Sequence, residues 1–167
     1  MRGTAKNMVL CSLFAALITL CSWISVPVAD IAFTLQTFGV FLALGLLGGR
    51  RGGIAVFIWL LLGAVGAPVF SGFRGGIGSL VGVTGGYLWG FLFAALLYRL
   101  LERFGKLPTM VAGQLVCYIC GCFWFYLYTG GGFWLIFVRC VAPYLLFDSV
   151  KLALAYSLSA RLSRHIT

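Results

Sequence analysis

Apolar residues run along this chain in six stretches that span, or nearly span, the core of a bilayer, which takes about 20 residues of helix. The first runs from about Met8 to Val26 and stops at Pro27, the second from about Thr37 to Leu47, and the third from Gly53 to Val65. The fourth covers Tyr87 to Leu101, the fifth Thr109 to Tyr128, and the sixth Phe133 to about Leu158. Spans two and three are short. No spacer between spans is long enough to fold alone, so residues 1–167 read as a single integral membrane domain. The pattern predicts an all-α, polytopic membrane protein with six transmembrane helices.

Composition agrees with the pattern. Only 9% of residues are charged, against about 25% in a soluble domain, and the mean hydropathy is +1.09. A net charge of +9 would suggest nucleic acid in a soluble protein, but here the basic residues mark orientation. Arg2 and Lys6 precede span one; Arg50 and Arg51 separate spans two and three; Arg99, Arg103 and Lys106 lie between four and five; Arg161 and Arg164 follow span six. With six spans those residues share one side, and the other side carries only Arg74. The asymmetry puts both termini in the cytoplasm, with anionic lipid headgroups as secondary partners of the basic rim. The first span imitates a signal peptide but is too long for one and is followed by more membrane, so it reads as an uncleaved helix.

Against this apolar background the polar exceptions stand out. Asp148 and Lys151 fall inside the sixth span, where a charge costs roughly 2.5–3.5 kcal/mol on insertion scales. Their spacing of three sets both side chains on one helical face. They form either a mutually neutralising pair that holds the bundle together or a buried polar ligand site. Thr34, Gln36 and Thr37 bring uncharged hydrogen-bonding groups to the rim of the bundle, or merely cap the second helix. The connection from Gly66 to Gly86 mixes many glycines and Pro68 with Phe70, Phe73, Ile77, Leu80 and Val81. It is too apolar for a solvated linker and too glycine-rich for a stable helix. Irregular backbone at membrane depth is tolerated only where protein buries it or a cavity adjoins it. The segment therefore reads as a lid or re-entrant wall whose backbone amides face a ligand, with Arg74 at its tip. Arg139 either snorkels to the interface or faces the site.

Small residues recur at four-residue spacing, Ser12 and Ala16 in span one and Gly86, Gly90 and Ala94 in span four, a pattern that lets helices approach closely in lipid. The span-one stripe packs within the bundle or faces a second protein. Six cysteines, at 11, 21, 117, 120, 122 and 140, lie within spans and read as small buried apolar residues. The fifth span offers Cys117, Cys120 and Cys122 no histidine or carboxylate partner, so no metal is expected. No phosphate-binding loop is present, and no nucleophile–base pair can be assembled. An enzyme is therefore not expected, and uphill transport would draw on an ion gradient or a partner.

Four motifs carry a resemblance. They are Phe33-Thr34-Leu35-Gln36-Thr37-Phe38-Gly39-Val40; Leu61-Leu62-Gly63-Ala64-Val65-Gly66-Ala67-Pro68-Val69-Phe70; Gly72-Phe73-Arg74-Gly75-Gly76 running on to Thr84-Gly85-Gly86-Tyr87-Leu88; and Asp148-Ser149-Val150-Lys151-Leu152-Ala153-Leu154-Ala155. In this order they resemble the BioY family, the biotin-binding S components of energy-coupling-factor (ECF) vitamin importers. The resemblance implies a six-helix S-component fold in the cell membrane, with biotin held near the outer face. It also implies a transmembrane coupling protein and two cytoplasmic ATPase subunits as partners, Ser12 and Ala16 meeting the coupling protein, and no cofactor. For such a ligand, Asp148 would accept the ureido N–H donors and Lys151 would donate to the ureido oxygen. Phe70, Phe73 and Tyr87 would cover ring and tail, and the ligand carboxylate would point toward Arg74 or glycine-loop amides such as that of Gly76. Thr34 and Gln36 complete the candidate set. The reversed pose, with Lys151 on the carboxylate, stays open. A stand-alone ion-coupled transporter or channel working through Asp148 is the competing class.

Overall fold

The computed structural model describes residues 2–28 and 31–166. Helix α1 (Arg2–Trp23) leads into two short strands, β1 (Ser25–Val28) and β2 (Ile31–Thr34), then α2 (Gln36–Ala64). A short α3 (Ile77–Val81), α4 (Gly85–Leu101), α5 (Lys106–Thr129), α6 (Phe133–Cys140) and α7 (Ala142–Ile166) follow. By length and composition, Ala5–Trp23, Gln36–Ala64 and Lys106–Thr129 could each cross a membrane.

The reading of two short spans either side of Arg50 and Arg51 corresponds to one element that folds back on itself. Gly48, at φ 77° and ψ 169°, leaves helical geometry in the middle of α2, a conformation open to glycine and strained for other residues. A Cβ placed on Gly52 would lie 2.8 Å from Leu44 Cα, whereas residues eight apart in a straight helix are about 12 Å apart. Arms 36–47 and 49–64 are therefore antiparallel. Glu102 accepts the Gly49 N–H at 2.7 Å, so a carboxylate satisfies an orphan amide at the second arm's N-terminus and opposes its dipole.

The fold is all-helical but for one hairpin, in which β1 and β2 pair antiparallel, with Ser25 opposite Thr34 and Val26 opposite Phe33. One expectation needs correction: the sixth stretch is not one helix. Backbone at Val141 (φ −123°, ψ −52°) separates α6 from α7. Pro143 accounts for the break, because it has no N–H to give the Arg139 carbonyl and its ring would collide with it.

Close helix contact depends on small residues. A Cβ on Gly90 would lie 3.0 Å from Cys117 Cα, and one on Gly86 would press on Trp124 and sit 2.7 Å from the Cys120 carbonyl. With Ala94 fully buried, the span-four stripe is the face on which α4 meets α5. Trp59, Phe41, Ile18 and Leu44 fill the centre.

The glycine-rich connection between α2 and α4 is fastened at both ends by tryptophan. The indole N–H of Trp23 donates to the Pro68 carbonyl at 2.7 Å, and that of Trp59 to Val69 at 3.1 Å. Trp89 donates to Leu80 at 3.2 Å and Trp124 to Gly82 at 2.9 Å. Trp59 also meets the Phe70 ring edge-on at 5.2 Å. Four helical segments thus hold a stretch whose composition favours no regular structure.

The α4–α5 contact gives a test. Replacing glycine by alanine in a helix ordinarily gains up to about 1 kcal/mol, but Gly86→Ala must lose about 1–3 kcal/mol to overpacking. Gly53→Ala, whose new methyl meets its nearest neighbour at 3.8 Å, should be neutral or stabilising. Thermal unfolding in detergent should therefore move the two variants in opposite directions.

Candidate ligand-binding site

At the end of the molecule where α2 begins, the β1–β2 hairpin, the 65–84 connection, α4, α5 and α7 enclose a cavity of about 810 Å³. That is within the range of small-molecule sites. Its chemistry is set by α7. Asp148 and Lys151 are only 6% and 5% exposed, and Lys151 Nζ lies 2.8 Å from Asp148 Oδ1. The same ammonium donates to the Thr34 main-chain carbonyl at 2.7 Å and sits 3.8 Å from the centre of the Phe33 ring. Asp148 Oδ2 accepts the Tyr118 hydroxyl at 2.8 Å and the Gln114 amide at 3.4 Å.

Thr34, Gln36, Phe70, Arg74, Tyr87, Asp148 and Lys151 all line this cavity. They come from five separate elements, and the fold brings them together. Tyr87 is fixed by donating its hydroxyl to the Cys140 carbonyl at 2.6 Å. Arg74 is exposed, and its carbonyl accepts the Phe70 N–H at 2.9 Å.

Phe73 and Gly76 are not lining residues. Phe73 has positive φ (58°), is 64% exposed, and stacks against Trp23 with ring centroids 5.0 Å apart. The Gly76 amide is used within the protein, donating to the Gly63 carbonyl at 2.6 Å. Lys151 also differs from the picture of a free donor, since its ammonium is already engaged in three directions.

Tyr118, Gln114 and Tyr144 were not singled out from the sequence. Tyr118 and Tyr144 line the cavity, and Gln114 stands one turn before Tyr118 on the face of α5 that meets Asp148. The signal was Gln114 itself, a polar side chain inside an apolar span and one turn from a tyrosine. Cys117 is buried, Cys120 and Cys122 are partly so, and no group of three metal-ligating side chains occurs among the described residues. On α1, Cys11, Phe14, Ala15 and Ile18 face inward while Ser12 and Ala16 are exposed beside Met8, Val9, Leu13 and Leu20. That stripe does not pack within this chain.

The model of one protein family, BioY, matches residues 1–167. The chain belongs to the BioY family. Its sequence is 40% identical over 164 residues to the biotin transporter BioY of Thermotoga maritima, covering 95% of this chain and 96% of that one. A biotin transporter BioY of Rhodobacter capsulatus is 39% identical over 134 residues, covering 78% of this chain and 70% of its own length. The fold superposes with a TM-score of 0.90 on a crystal structure of the S-component for biotin from an ECF-type ABC transporter, at 24% identity over 98% of this chain and 94% of that one. The family is one of transporter components rather than enzymes, and the protein is a multi-pass membrane protein.

The geometry of the pair predicts how the ligand-free protein responds to mutation. Asp148→Asn leaves Lys151 buried without its counter-charge and should cost about 3–5 kcal/mol, while the double change Asp148→Leu with Lys151→Met should recover most of that. Thermal unfolding in detergent without ligand measures both. A single variant no less stable than the double would show that the pair is not dry.

Proposed function

We propose that this protein is the biotin-binding S component of an ECF-type vitamin importer. The observation that carries the reading is a cavity of ligand size holding a buried Asp148–Lys151 pair, in a chain whose relatives are biotin transporters. A ureido group offers two N–H donors and a carbonyl acceptor. Asp148, the one carboxylate among the described residues of the cavity lining, accepts an N–H strongly because the site is dry. Lys151, Tyr118 and Gln114 hold that carboxylate in place. Phe70, Tyr87 and Phe91 supply apolar cover for the bicyclic ring and tail. Arg74, the one basic residue other than Lys151 among the described residues of the lining, is the natural partner for the ligand carboxylate. Thr34 and Gln36 close the polar end.

The arms of α2 on either side of Gly48, together with α1, α4, α5 and α7, supply six membrane crossings with both termini cytoplasmic. Cavity and 65–84 connection then face outward. With no phosphate-binding loop in the chain, ATP hydrolysis falls to two ATPase subunits acting through a transmembrane coupling protein. The exposed Ser12/Ala16 stripe is the surface on which a helix of that protein would pack closely.

Purified protein should bind biotin in detergent with a Kd well below micromolar and without ATP, and a calorimetric titration indistinguishable from buffer would remove the reading. Exchanging the pair (Asp148→Lys with Lys151→Asp) keeps net charge and spacing but sets a donor against donors. An unmet buried polar group costs about 1–3 kcal/mol, so affinity should fall by about tenfold to a hundredfold. Unchanged affinity at matched folding would make the pair structural only. Topology is tested separately, in a cysteine-free background. A cysteine at Ser163 should resist impermeant maleimide in intact cells while one at Ser71 should react, and the reverse pattern would invert the orientation.

A further inference from the structure

Two buried side-chain polar atoms lack a hydrogen-bond partner among the described residues, Gln36 Nε2 and Gln114 Oε1. Only Gln36 lines the cavity. It is 7% exposed, so its amide N–H groups have given up water without gaining an acceptor, an unfavourable state that a bound acceptor would relieve. The orientation is set locally. The Thr34 hydroxyl donates to Gln36 Oε1 at 3.4 Å and accepts the Gln36 main-chain N–H at 3.3 Å. The amide oxygen is thereby engaged and the nitrogen is left free.

The neighbouring groups cannot take the same role. The Lys151 ammonium is directed to Asp148 Oδ1, the Thr34 carbonyl and the Phe33 ring. The Tyr118 hydroxyl and the Gln114 amide both donate to Asp148 Oδ2. Asp148 Oδ1 carries one of these donors and retains acceptor capacity for a ligand N–H. The polar end of the cavity therefore offers an acceptor at Asp148 and an unmatched donor at Gln36, with the Lys151–Thr34 bond tying the two together.

Resting on the biotin reading above, we infer that Gln36 Nε2 donates to the ureido carbonyl oxygen, and that Gln36 is the residue by which the site tells a cyclic urea from a cyclic guanidine. A donor at that place rewards C=O and penalises the protonated guanidinium, whose C=NH2+ group has no lone pair, because a donor would then face a donor. Lys151 acts on the ligand through Asp148 and does not bind the carbonyl.

The test compares biotin with 2-iminobiotin, which differs only in replacing the ureido C=O, by calorimetric titration of detergent-purified protein at one pH. Wild type should prefer biotin. Gln36→Glu removes the donor and leaves acceptors only, so biotin affinity should fall at least about tenfold while 2-iminobiotin affinity holds or rises. Because the new carboxylate would also attract a cation, Gln36→Met provides the charge-free comparison. It should lower the biotin-to-iminobiotin affinity ratio by about tenfold or more. Thermal unfolding without ligand checks that each variant is folded, and if Gln36→Glu is not, the methionine variant decides. A wild-type biotin affinity in Gln36→Glu, or an unchanged ratio in Gln36→Met, would overturn the assignment. Those results leave the biotin reading standing, which only a failed wild-type titration removes.

Discussion

The burial of the Lys151 ammonium is the constraint on which the rest of the site depends. A lysine at this depth must find partners for all its N–H groups, and it finds them on two pieces of chain. Asp148 lies one turn back on α7, the Thr34 carbonyl belongs to the β1–β2 hairpin, and the Phe33 face lies beside it. The hairpin is only four residues deep on each side, too short to hold a position by itself. Its contact with Lys151 fixes where α2 begins, and so where Thr34 and Gln36 sit. Removing water from such a pair costs several kcal/mol per ion unless the remaining lone pairs are satisfied. Tyr118 and Gln114 on Asp148 meet that requirement, so the groups that shape the binding site are also those that make its charges tolerable.

A second device orders the opposite wall. Glycine loses more conformational freedom on folding than any other residue, and the 65–84 connection is dense in it. Indole N–H donors from α1, α2, α4 and α5 take carbonyls at Pro68, Val69, Leu80 and Gly82. The bonds fall in two groups, before and after the stretch containing Arg74. Each indole supplies a large apolar body to the bundle and one polar contact to the loop, a combination that neither leucine nor phenylalanine provides. The consequence is a glycine-rich segment with fixed ends, able to bring backbone and the Arg74 side chain to the cavity without any helix of useful length.

How much of this was legible follows from what each residue type reveals in an apolar sequence. Asp148 and Lys151 stood out because charge is rare there, and Thr34 and Gln36 because they interrupt a hydrophobic run just ahead of a helix. The turn in α2 was readable from Arg50 and Arg51. Phe73 and Gly76 were misplaced because an irregular loop has no period from which to tell which way a residue points, and positive φ at Phe73 turns its ring onto Trp23. The β1–β2 hairpin was missed because four apolar residues look alike as strand and as helix. The break at Val141 lay beneath a continuous hydropathy signal, although Pro143 marked it. Tyr118 was hidden by its type: in a span rich in aromatics a tyrosine counts as apolar, and only its proximity to Asp148 gives its hydroxyl a role.

Among the described residues, the arrangement of acidic groups also weighs against the competing idea of an ion-coupled carrier. Such a carrier needs a carboxylate free to exchange a cation as it moves between two sides. Asp148 has donors on both oxygens, from Lys151 on one and from Tyr118 and Gln114 on the other. Glu102 lies at the Gly48 turn, the end of both α2 arms remote from the cavity, and is committed to the Gly49 amide. Between them the buried core is aliphatic and aromatic, with Trp59, Phe41 and Leu44 among its fully buried side chains. The buried hydroxyls of Thr19, Ser22, Thr109 and Ser159 are spent on nearby main-chain carbonyls, and so largely apolar an interior suits capture of a small ligand at one face. Release on the far side then requires the whole protein to be moved or deformed by something outside it. The exposed small-residue face of α1, which this chain does not use for its own packing, is where the proposed coupling protein would apply that force.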